Sequence, residues 1–156
     1  MIPERIDRYL KEHQLAFEHT THSRAVAAQR FAAAEHVTGE RIAKPVVVSV
    51  DGVLALAVVT ATEKVDVEAL RRATGATHVE IVPEAAFEGR FPACEVGAEP
   101  ALGLFGLPIY VDAVLAREPW IVMRGGTHED ALRLETAQWL RSESATPVER
   151  LGRWTS

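Results

Sequence analysis

A chain of 156 residues, 47% hydrophobic and 25% charged, has the length of one domain and the make-up of a folded protein rather than a disordered one. A formal net charge of −5 excludes a general nucleic-acid coat, and a single cysteine excludes an internal disulfide. With no run of about 18 apolar residues and no basic-then-apolar start, neither a membrane span nor a secretory signal is expected, and the cytoplasm is the expected compartment.

"PERIDRYLKEHQ" sets Ile6, Tyr9 and Leu10 at helical spacing, with Pro3 suited to a first turn. "LAFEHTTH" then reads as a short strand. The alanine-rich "SRAVAAQRFAAAEHV" predicts a second helix over 23–37, capped by Ser23 and ending near Gly39. Two β-branched apolar runs on either side of Asp51-Gly52 in "AKPVVVSVDGVLALAVVTAT" predict a tight hairpin, central and covered on both faces. "KVDVEALRRATG" predicts a helix begun by Asp66 and closed by Gly75, "HVEIV" a strand, and "PEAAFEGR" a short helix.

The following stretch, "FPACEVGAEPALG" at 91–103, has the composition of neither helix nor strand. After it "LPIYVDAVL", "PWIVMRGG" and "EDALRLE" predict three strands, and "TAQWLR" begins a last helix. The expected architecture is one α+β (α/β mixed) domain. Its sheet is mixed and largely antiparallel, of about six or seven strands flanked by helices. The domain is expected over 1–142, with 143–156 a polar, loosely held tail in which Trp154 is suited to docking.

Several residues are candidates for chemistry. Lys44 opens the first hairpin strand before Pro45, which restricts it to extended backbone. Its ammonium is either a solvated strand-end charge or a point charge for a phosphate or a reacting group. The stretch from Ser23 to Lys44 is net positive by two, which suits one phosphate-bearing end of a ligand as well as a solvated helix face. His22 is either structural or a hydrogen-bonding and proton-relaying group. No metal is expected, because His19 and His22 stand without a CxxC pair or an HExxH motif. Cys94 would need a nearby base to lower its pKa, whereas its neighbours Glu95 and Glu99 are anionic and push the other way, so it is expected to be non-catalytic. Glycines in "GAEPALG" let backbone amides approach a carbonyl oxygen or an oxyanion, and "RGGTH" at 124–128 could close the same hollow.

Together these pieces resemble the YbaK/ProX family of trans-editing aminoacyl-tRNA deacylases, related to the editing domain of bacterial prolyl-tRNA synthetase. The resemblance covers roughly residues 3–140. It is carried by the order of "FEHTTHSRAVAAQRFA", "RIAKPVVV", "VDVEALRRATG", "CEVGAEPALGLFGLPIYVD" and "IVMRGGTHEDALRLE". It implies hydrolysis of the ester of a mischarged small amino acid (Ala, Cys or Ser class) on tRNA, with no cofactor. Lys44 and Gly97 are implied as catalytic, and His22, Ala98, Pro100, Gly103, Gly126 and His128 as substrate-binding. The implied partners are the 3′ acceptor end of aminoacyl-tRNA and an aminoacyl-tRNA synthetase, and neither DNA nor a membrane. Two positions depart from the family pattern: Pro45, where many relatives carry a small hydroxyl residue, and Ala101, where proline or phenylalanine is common. The competing expectation is a non-catalytic binding protein for a nucleotide or an aminoacylated ligand.

Overall fold

The computed structural model describes residues 1–154; residues 155 and 156, the end of the expected tail, lie outside the described residues. Helix α1 (Glu4–Glu12) buries Ile6 and Leu10 one turn apart and leads into strand β1 (Phe17–Thr21). Helix α2 spans only Ala28–Ala34. Ser23 does not cap it, and residues 23–27 are irregular because tertiary partners take their backbone groups. His22 N–H donates to the Glu129 carbonyl and Ala25 N–H to that of His128, while the Arg124 guanidinium takes the Ala25 and Val26 carbonyls.

Strands β2 (Lys44–Val50) and β3 (Val53–Val59) form the expected hairpin. Asp51 and Gly52 both have positive φ, at 48° and 84°, the backbone of a type I′ turn. The Asp51 carboxylate also accepts the Thr77 and His78 N–H groups, tying the turn to the chain beyond the next helix. Alternation gives each strand two buried faces. Val47, Leu56 and Val58 enter the larger core with α1 and Trp139, while Val48, Ala55, Ala57 and Val59 enter a second core.

Strand β4 (Glu63–Val65) precedes helix α3 (Val67–Thr74). Asp66 caps α3 by accepting the Glu68 and Ala69 N–H groups, and Gly75 ends it at φ 72°. Strand β5 (Val79–Ile81) and helix α4 (Glu84–Phe87) follow, then the irregular stretch, then strands β6 (Ile109–Asp112), β7 (Trp120–Arg124) and β8 (Asp130–Glu135) and helix α5 (Thr136–Glu143).

The fold is mixed α+β, as expected, but its strands are shared among three sheets. Five strands run in the order β5-β2-β3-β6 with a further strand, β9 (Thr146–Val148), at the edge, and β3–β6 and β6–β9 are parallel. The order β1-β8-β7 makes an antiparallel sheet, and β10 (Gly152–Trp154) pairs with β4. The described part of the tail is therefore paired rather than loosely held. Its Val148 and Leu151 are buried in the second core, and Gly152 N–H donates to the Asp112 carboxylate at 2.6 Å. Trp154 docks through its backbone pairing with Glu63; its side chain is 71% exposed.

Candidate active site

A cavity of about 360 Å³ opens between the start of β2, helices α2 and α4, and the irregular stretch. Lys44, Pro45, Phe31, Gly97, Glu99 and Arg124 contribute to its wall. Lys44 and Gly97, the two residues expected to be catalytic, thus share one hollow. The strand position of Lys44 aims its ammonium at the chain that leads into β4, where it donates to the Glu63 carbonyl at 2.6 Å and the Ala61 carbonyl at 3.5 Å. Burial lowers its pKa, with the Glu63 carboxylate opposing that shift.

Gly97 has φ 84°, and a Cβ there would meet His128 Cε1 at 3.5 Å, an ordinary contact. Its glycine requirement is conformational rather than steric. The Gly97 amide, expected to face a substrate carbonyl, donates to Glu99 Oε1 at 3.1 Å.

The loop is held from behind. Glu95 N–H donates to the Gly126 carbonyl at 2.8 Å, and Gly126 N–H returns to the Ala98 carbonyl at 3.0 Å. The Glu95 carboxylate accepts Arg24 and the His128 N–H, both at 2.8 Å, and these bonds hold it below the usual carboxylate range. His128 Nε2–H donates to the Val96 carbonyl at 2.9 Å, while its ring lies buried with Nδ1 unpartnered.

Gly126 is packed against α1: at φ 96°, a Cβ would sit 2.7 Å from Ile6 and 2.8 Å from Pro3. Ala98 and Pro100 are buried beneath the loop and do not line the cavity. Gly103 faces the opposite side, donating its N–H to Glu143 at 2.7 Å, beside Tyr9 on the same carboxylate. His22 stands outside the hollow as well. Its Nδ1 faces the Ser23 carbonyl at 2.6 Å, and its ring packs on Phe31, which lines the cavity where His22 does not.

Arg124 is the site residue that motif reading passes over. It is 6% exposed, lies 4.2 Å over the Phe31 ring, and has its guanidinium on the Ala25 and Val26 carbonyls, the latter at 2.6 Å. Burial pushes its pKa down to about 10, leaving it cationic at neutral pH, with Glu99 opposing the shift. Its signal was the alternation of "WIVMR": Arg124 falls on the face of Trp120 and Val122, which packs against Phe31.

The family model of the aminoacyl-tRNA editing domain matches residues 22–142. This chain belongs to that family. Solved structures agree on the fold. One, from epitope backbone grafting on scaffold proteins by computational design, has a TM-score of 0.82 at 20% identity, over 97% of this chain and 96% of that one. The hypothetical protein APE2540 gives 0.81 at 16% identity, over 93% and 99%. A protein provisionally assigned as a trans-editing enzyme for prolyl-tRNA synthetase gives 0.73 at 20% identity, over 95% and 98%. No curated protein matches. Among the described residues of the editing domain no helix is long and apolar enough to cross a membrane, and no group of three or more His, Cys, Asp or Glu could hold a metal ion.

Proposed function

We propose that this editing domain hydrolyses, in trans, the ester joining a small amino acid of the alanine, cysteine or serine class to the 3′ end of tRNA. The observation that carries this reading is the single cavity shared by Lys44 and Gly97. The need for such an enzyme is physical. One methylene in an apolar pocket is worth only about 1–3 kcal/mol, so small amino acids are mischarged and a second sieve must clear them.

In the proposed reaction a water oxygen adds to the ester carbonyl, and the bond to the ribose oxygen breaks to give free amino acid and tRNA. Lys44 holds the terminal nucleotide as a point charge. The Gly97 amide, released from Glu99, donates to the oxygen on which negative charge develops. Phe31, Val47 and Phe87 in the wall exclude bulk water and large side chains. Cys94 has no part in it: it lines a neighbouring hollow, and burial first, then Glu99, push its thiol up to about 11.

The test is release of labelled amino acid from alanyl-, cysteinyl- and seryl-tRNA. Release from at least one, abolished by Lys44→Ala in a folded protein, is the expected result. No release from any of the three would favour the binding-protein reading, to which Pro45 beside Lys44 lends its one observation: no side-chain hydroxyl stands at that position of the wall.

A further inference from the structure

We infer that Glu99 recognises the free α-ammonium of the aminoacyl group, so that the site selects esters whose amine is unblocked and charged. This rests on the deacylase reading above and adds a specificity determinant to it. Glu99 is part-buried in the cavity wall, and its Oε1 accepts the Gly97 N–H at 3.1 Å. Among the described residues it forms no ion pair. The cavity's two cations have other partners. Lys44 donates to the carbonyls of Ala61 and Glu63, and Arg124 to those of Ala25 and Val26. A carboxylate drawn partly out of water is stabilised by a cation that can reach it, and here the protein supplies none at contact distance.

An α-aminoacyl ester supplies one. Its carbonyl oxygen and its ammonium nitrogen are carried on adjacent carbons and stand about 3 Å apart by ordinary chain dimensions. Gly97 N and Glu99 Oε1 lie within one hydrogen bond of each other, so a single aminoacyl group is small enough to address both. When the ester carbonyl takes the Gly97 N–H, the displaced carboxylate has the ammonium within reach, and neither group is left unpaired. Glu84 of α4, also in the wall, adds negative potential to the cavity. A peptide-bonded or N-acylated amine, neutral and bulkier, cannot complete this exchange.

The experiment compares the best-hydrolysed of alanyl-, cysteinyl- and seryl-tRNA with its α-hydroxy counterpart made by deamination. In the alanyl case this is lactyl-tRNA, which has nearly the same shape without the charge. Each enzymatic kcat/KM is divided by that ester's spontaneous hydrolysis rate. Wild type is expected to prefer the amine by about 10- to 100-fold, the range of a charge-assisted hydrogen bond. Glu99→Gln keeps an acceptor for Gly97 and should bring the ratio to within about threefold of one, while Glu99→Asp should keep part of the preference. A wild-type preference below about threefold overturns the inference and leaves deacylation standing, as does a preference undiminished in Glu99→Gln. No release from any of the three charged tRNAs overturns the deacylase reading and takes this one with it.

Discussion

At the scale of single residues, Arg124 and Gly97 constrain the site in different ways. Arg124 joins β7 to the irregular segment before α2, and removing it leaves two carbonyls without their charged donor. Arg124→Met should cost on the order of 2–4 kcal/mol in denaturant titration, and Arg124→Lys a large part of that, because an ammonium lacks the planar fork that spans both carbonyls while stacking on Phe31. Gly97→Ala meets no backbone obstacle, only a left-handed φ, worth about 1–2 kcal/mol of strain. Its stability should fall by that amount, and deacylation should fall further because the Gly97 amide moves. For Lys44 the sign of the pH effect is set by burial. Its folded pKa lies below the ordinary lysine value, so the unfolded chain binds more protons between the two. Stability should therefore rise with pH through that window in wild type relative to Lys44→Met. A difference that is flat between pH 7 and 10.5 would contradict the shift.

Elements whose sequence carried a local cause formed as expected. The Asp51-Gly52 hairpin, the Asp66 cap and the Gly75 stop each follow from a side chain or a positive φ within a few residues. Acid titration checks the first. The bonds from His78 and Thr77 lower the Asp51 pKa, so its contribution is present at neutral pH. The thermal midpoint of wild type should exceed that of Asp51→Asn there, and the gap should close as pH falls through the carboxylate range. Elements that failed to match were decided by distant partners. Residues 23–27 have helical composition, yet His128 and Arg124, about a hundred residues along the chain, claim the backbone groups of Ala25 and Val26. Strands β9 and β10 carry little apolar patterning, and their pairing is imposed by open edges on β6 and β4. Truncation after Ser144 should expose both edges, since Val148 and Leu151 leave the second core. The thermal midpoint should fall by several degrees or the protein should aggregate.

Across the whole molecule, the irregular stretch at 91–103 is bound at both ends rather than loose. Its first half is clasped by Arg24, Gly126 and His128, and its second half is fixed when Trp139 donates to the Ala101 carbonyl at 2.7 Å and Gly103 donates to Glu143. This explains why the candidate site was half legible in the sequence. The motif pointed to a loop that lines the cavity through Gly97, but Ala98, Pro100, Gly103, Gly126 and His128 shape or hold that loop from behind and none of the five lines the cavity. Which face of a loop a residue presents depends on contacts far along the chain, and those leave no local pattern. The central claim is that this one hollow receives the aminoacyl end of tRNA. Amide chemical shifts measured during titration with a non-hydrolysable 3′-aminoacylamino analogue of the terminal adenosine test it directly. The largest changes are predicted at Lys44, Gly97 and Glu99; changes centred instead on the separate hollow of Thr20, His22 and His36, with those three amides unmoved, would contradict the account.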